Sequence, residues 1–177
     1  GLLSFLFYIY IYTPLKRKTS LATFFGAVPG AMPCLLGWVA AVDDFSLASG
    51  ILFAVQFFWQ FPHFIAISWI RDREYKNAQF KMMPGEIKGY LAPSIAVFFT
   101  VLMIVTTVIP FFYNIEGFKI SQYNLVLILF LGIFFLFKSF AFLKSKKDNA
   151  ARKMLLFSYI YLPVVQILFI LDKLLIL

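Results

Sequence analysis

The chain has 177 residues, 62% of them hydrophobic and only 14% charged, with a mean hydropathy of +0.88 and a net charge of +8. A soluble domain is about 45–50% apolar and about 25% charged, and a globule of this size hides only about 70% of the surface its unfolded chain exposes. The composition therefore excludes a soluble enzyme and a disordered chain, and Cys34, the only cysteine, excludes an internal disulfide framework. An integral membrane protein remains.

In chain order, Leu2–Tyr12 comes first and is too short to span a bilayer, which takes about 20 residues. It reads as the second half of a helix that begins upstream, and residues 1–177 as the N-terminally truncated, C-terminal part of one transmembrane domain. Five runs have spanning length: Leu21–Val42, Leu47–Ile70, Tyr90–Phe112, Tyr123–Phe142 and Met154–Leu171. They are apolar on both faces, unlike the alternating strands of a membrane barrel. The expected fold is all-α: a polytopic transmembrane helical bundle with five complete spanning helices and the end of a sixth.

The gaps between the runs alternate in charge. Lys16, Arg17 and Lys18 fill the first. Arg71, Arg73, Lys76, Lys81 and Lys88 fall in the third, and Lys144, Lys146, Lys147, Arg152 and Lys153 in the fifth. The intervening gaps and the tail hold Asp43, Asp44, Glu116 and Asp172, with Lys119 and Lys173 as their only bases. Thirteen bases against two place the first, third and fifth gaps in the cytoplasm or its equivalent. A nucleic-acid binder would gather its bases on a folded polar face, so the charge sets topology and no nucleic-acid partner is expected.

Small residues Gly26, Gly30 and Gly37, with Pro29 and Pro33, mark the first spanning run. They serve either close helix packing or a thin-walled cavity. In the second run Gln56, Gln60 and His63 are spaced four and three apart and share one helix face. Ile67 interrupts that face, which then reaches Arg71, leaving His63 roughly 12 Å below the mouth. The stripe is either ordinary interhelical hydrogen bonding or the wall of a cavity open to the basic side. Pro62 beside it predicts a kink, since Phe58 loses its helical donor.

The 71–88 gap reads RDREYKNAQFKMMPGEIK. Asp72 and Glu74 are candidate ligands for Mg²⁺, which takes one or two carboxylates plus substrate phosphate oxygens. Arg71, Arg73 and Lys76 are candidate phosphate partners. The competing reading is a solvated charge run against anionic lipid.

Four segments, YTPLKRKT, GAVPGAMPCLLGW, QFFWQFPHF and the acidic–tyrosine loop ending in MMP, together resemble the UbiA-type intramembrane prenyltransferases, in particular their haem-farnesylating branch. The matching segments run in order over residues 12–84. The resemblance implies that the five runs are the fifth to ninth of nine helices. It implies transfer of a farnesyl group from farnesyl diphosphate to a vinyl group of haem b, with Mg²⁺ bridging the diphosphate, membrane lipid around the bundle and haem A synthase acting next. Carried over, Lys16 and Arg17 bind diphosphate or haem propionates. Asp72 and Glu74 form the second acidic motif beside Tyr75, and His63 ligates haem iron or handles a proton. Gln56, Gln60, His63 and Tyr75 would line the acceptor pocket, with Arg71, Arg73 and Lys76 on the diphosphate. The sequence departs from the family pattern where Lys76 stands four residues after Asp72 and where Arg73 separates the two acids.

The family's first acidic motif falls upstream of Gly1, so the isolated chain is expected to be inactive. Removing Asp72 and Glu74 together is expected to abolish turnover of the whole enzyme and spare haem binding. The bacterial cell membrane is expected over the mitochondrial inner membrane. Three alternatives stand beside this reading. A UbiA-type enzyme acting on an aromatic quinone precursor is one. A b-type haem carrier is another, although one histidine falls short of the usual two axial ligands. A transporter half is the third, without the internal repeat such folds carry.

Overall fold

A computed structural model describes every residue except Glu86, Asn114, Glu116 and Leu177, and only the backbone of Leu175 and Ile176. Its helices are α1 (Leu2–Leu15), α2 (Ala22–Val42), α3 (Leu47–Ile70), the short α4 (Asp72–Asn77), α5 (Leu91–Phe112), α6 (Gln122–Ser145) and α7 (Asp148–Ile176). Five of them, all but α1 and α4, are long and apolar enough to cross a membrane.

Helix α3 is the hub. It packs against α2, α5 and α7, while α6 closes a four-helix ring by packing on α5 and α7. More than half of its most apolar stretch is buried (56%), against 11% for α2, which is held by α3 on one side and α1 on the other. Between α3 and α5 Phe61 stacks on Phe99 with centroids 3.7 Å apart, and between α5 and α6 the hydroxyls of Thr100 and Ser139 meet at 3.0 Å. Hydroxyls that also bond back to their own helix carbonyls, as both of these do, let polar groups sit in hydrocarbon without an unmet donor.

Local chemistry explains the helix ends. In α1 a wide π-turn at Tyr8–Tyr12 stands directly ahead of Pro14, whose ring cannot seat over the Tyr10 carbonyl in a regular helix. Asp43 takes the left-handed conformation (φ 56°) that stops α2, and extended Ser46 opens α3. Lys146 does the same after α6 (φ 51°), so two residues suffice to turn into α7. Helix α3 stays α-helical through Pro62.

The apolar runs locate every span but misplace the ends of two. The last span starts at Asp148 rather than Met154, so Arg152 and Lys153 ride on α7 instead of a loop, and α6 runs on to Ser145. Asp172 and Lys173, read as a tail, lie in the last turns of α7. Asp172 is buried, and its carboxylate accepts the Ser121 amide at 3.0 Å ahead of α6. Hydropathy marks only the stretch of helix within the lipid, whereas backbone bonding continues beyond it.

The two ends of the bundle are each stitched together. On the basic side Asp148 accepts from Trp69 Nε1 (3.1 Å) and Lys88 Nζ (2.7 Å), and Lys146 sits 3.5 Å over the Tyr90 ring. On the other side Trp38 donates to Ser46 (3.0 Å), lies under Lys173 (4.2 Å) and packs on Phe118. Trp69 and Trp38 thus mark opposite interfaces, where tryptophan is enriched. Glu116, assigned to the second side from sequence, lies outside the described residues. In a Cys34→Ala background, Asp44→Cys is expected to react with an impermeant maleimide in intact cells and Lys147→Cys only after permeabilisation. The reverse labelling would invert the bundle.

Candidate functional site

Two cavities adjoin at the basic end of the bundle. The larger, about 630 Å³, lies between α1, α2 and α3 and is walled by Tyr8, Tyr12, Gly26, Pro29, Gln60 and Phe64, among others. The second, about 450 Å³, is a cleft lined by Lys18, Ser68, Asp72, Tyr75, Lys76 and Lys81, among others. Met82 lines both, so an apolar chamber sits directly beside a charged cleft.

The glycines make the chamber possible and serve packing as well. A Cβ at Gly26 would stand 2.7 Å from the Tyr12 ring, and one at Gly30 would overlap the Gln60 carboxamide. Both glycines also line the chamber. Gly37 has nothing within 4 Å of where its Cβ would be and takes no part. The cleft depends on two segments sixty residues apart in sequence. The Lys81 amide donates to the Lys16 carbonyl (2.8 Å), and Thr23 Oγ1 donates to the Met82 carbonyl (3.3 Å). These bonds lay the MMP segment against the start of α2.

The charged residues singled out from sequence part company here. Asp72 lines the cleft, is 17% exposed at its side chain, and pairs with Lys76 at 2.8 Å. Four-residue spacing on α4 makes that pair, because i and i+4 are neighbours on a helix. Glu74 is 69% exposed and pairs with Arg71 at 3.4 Å, outside the cleft. Lys16 lies over the Phe80 ring at 4.8 Å, while Arg17 and Arg73 are exposed and line neither cavity. Arg71 and Tyr75 border a smaller hollow of about 170 Å³ with Tyr159.

Sequence reading missed Lys18, Lys81 and Met82. Lys18 was the last base of the KRK run and Lys81 the base preceding MMP, but only the folding together of the two loops aims them at one point.

For Mg²⁺ the donor set supplies one carboxylate facing the cleft, Asp72, and no cluster of three or more acidic, histidine or cysteine side chains exists among the described residues. One carboxylate suffices for this ion when substrate phosphates complete its shell.

The polar stripe of α3 faces the groove between α2 and α7, and its members divide between them. Gln56 Oε1 meets Gln166 Nε2 at 3.3 Å and Cys34 Sγ at 3.6 Å, tying three helices. Gln60 Nε2 donates to the Ala27 carbonyl at 3.0 Å and walls the chamber. His63 leans to α7, its Nδ1 2.8 Å from Ser158 Oγ, with Trp59 stacked 4.5 Å away. It is not in the chamber wall; its neighbour Phe64 is. Of the four expected acceptor residues, the structure brings Gln60 to the chamber and Tyr75 to the cleft, and leaves Gln56 and His63 in interhelical bonds.

Membrane-length helices with a half-open, largely apolar cavity between α1, α2 and α3, beside a charged cleft, define an integral membrane protein with an amphipathic cavity on one flank of its bundle. The sequence model of the UbiA prenyltransferase family matches residues 1–161, and the chain belongs to that family. Similar curated proteins include the protoheme IX farnesyltransferase of Flavobacterium psychrophilum, 38% identical over 173 residues (98% of this chain, 58% of the relative). Those of Cytophaga hutchinsonii and Christiangramia forsetii are 38% and 39% identical, again covering 98% of this chain and 59% and 58% of the relative. The chain therefore spans a little under three-fifths of the length of these relatives. No solved structure matches it.

Proposed function

We propose that the protein carrying this chain transfers a farnesyl group from farnesyl diphosphate to a vinyl group of protohaem IX, giving haem O. The observation that carries the reading is the apolar chamber adjoining the cationic cleft at Met82. A prenyl diphosphate has this shape and polarity, and the names of the relatives supply the donor and acceptor.

Each end of the cavity has a physical task. Lys18, Lys76 and Lys81 face the position of the diphosphate, where negative charge grows as the C1–O bond breaks, and fixed cations there favour that change. Asp72 is the residue to hold Mg²⁺. That ion, when bound, neutralises the departing diphosphate. Tyr8, Tyr12, Pro29 and Phe64 form a lining for the C15 tail, and the tail packed against it would help keep water from the allylic cation until the vinyl group attacks. Water then adds to the new cation on the acceptor and gives up a proton, leaving a hydroxyethylfarnesyl group. The proposed setting is the bacterial cell membrane, with haem A synthase taking the product.

The withdrawal of His63 from the chamber wall favours a second reading, in which the acceptor is an aromatic quinone precursor. A haem b titration of the detergent-solubilised protein separates the two. If haem is the acceptor and His63 its iron ligand, His63→Ala weakens binding by about tenfold or more. Gln60→Ala, which removes two neutral hydrogen bonds, to the Ala27 and Gln56 carbonyls, changes haem binding by less than His63→Ala does. Equal, small effects would return His63 to helix packing and favour the quinone reading.

A further inference from the structure

His63 is the only histidine in the chain, and its environment determines which ring nitrogen carries the proton. Nδ1 lies 2.8 Å from Ser158 Oγ on α7. The same Oγ lies 2.6 Å from the carbonyl oxygen of Leu155, one turn earlier on that helix. A serine hydroxyl has one proton, and a carbonyl can only accept. The Ser158 proton therefore goes to Leu155, and Oγ turns a lone pair toward Nδ1.

We infer that Ser158 fixes a proton of His63 on Nδ1, and that Nε2, which meets no acceptor in this buried site to hold a second proton, keeps its lone pair free. No polar group among the described residues bonds Nε2. The ring is held on several sides: Trp59 stacks on it, and Tyr159 and Phe64 meet it edge-on with centroids 4.9 and 5.4 Å away. Ser158 is fixed in turn, because its carbonyl accepts the Trp59 indole N–H at 2.9 Å. Two bonds at one level thus lock α3 to α7 around the imidazole. Turning the ring over would set a carbon against Ser158 Oγ and forfeit the bond.

The consequence is chemical. With its proton on Nδ1, His63 can act through Nε2 as a base or metal ligand, and cannot donate a hydrogen bond from that atom. Resting on the haem reading above, Nε2 is the atom offered to the porphyrin iron, and Ser158 is a positioning residue acting through it. Histidine ligands of metals are generally oriented in this way by a hydrogen bond to the other nitrogen.

The test uses the protein labelled with ¹⁵N-histidine in lipid bilayers, with the His63 signals assigned by difference from His63→Gln. One-bond ¹H–¹⁵N correlation identifies the protonated nitrogen. Nδ1 is expected to carry the proton in the wild type and in Ser158→Thr, while Ser158→Ala shows both tautomers. In parallel, Ser158→Ala is expected to bind haem b about tenfold more weakly, with Ser158→Thr restoring most of the loss. A proton on Nε2 in the wild type, or an unaltered spectrum in Ser158→Ala, overturns the inference. If the nitrogen signals follow expectation while His63→Gln binds haem as the wild type does, the haem reading of this residue fails and the tautomer assignment stands.

Discussion

Asp72→Ala is expected to lower kcat/KM for prenyl transfer by about 100-fold or more, the scale on which a group stabilising a developing charge contributes. Glu74→Ala is expected to cost less than about threefold, as befits an exposed ion pair. The two acids are two residues apart and equivalent on paper. Their helix separates them, placing one at the edge of the cleft with its side chain 17% exposed and the other in solvent at 69%. Asp72→Asn sharpens the comparison, since it keeps the shape of the side chain and removes the charge. Steady-state kinetics on the three variants decides the matter. A large loss in Glu74→Ala with little change in Asp72→Ala would reverse the roles.

Gly30→Leu is expected to destabilise the protein by about 1–3 kcal/mol, the usual cost of forcing extra volume into a packed interior. Any Cβ at this position runs into the Gln60 carboxamide, which is buried and bonded to Ala27. The larger side chain must either push α2 off α3 or break that bond and intrude on the chamber. Prenyl transfer should fall in the same variant. Gly37→Leu is the control, because nothing lies within 4 Å of its Cβ position and its stability should be unaltered. Thermal unfolding in detergent measures both. Equal melting points for the two variants would show that the α2–α3 seam is not the close contact described.

Much of this architecture was legible in the sequence, because hydropathy and charge act along the chain. The run Leu47–Ile70 coincides with α3 end to end, and alternating charge orders the loops. The stripe of Gln56, Gln60 and His63 was visible through helical spacing, yet which neighbour each would meet was not. That depends on α2 and α7 approaching from opposite sides, so that Gln60 reaches Ala27 and His63 reaches Ser158, 95 residues away. The cleft was half legible. Asp72 and Lys76 are local to α4, but Lys18 and Lys81 join them only because the Lys81 amide bonds the Lys16 carbonyl. Pairing of this kind between distant loops leaves no periodic trace for a single sequence to display. Arg17 and Arg73, named from the resemblance and from the charge of the loop, are exposed as Lys76 is, but line neither cavity.

The central claim is the reaction, and one assay tests it most directly. The full-length protein carrying this chain, reconstituted in lipid, receives haem b, farnesyl diphosphate and Mg²⁺, and the products are weighed by mass spectrometry. A haem product heavier by one farnesyl group and one hydroxyl is the predicted result. Consumption of farnesyl diphosphate with an aromatic acid, and no modified haem, would contradict it.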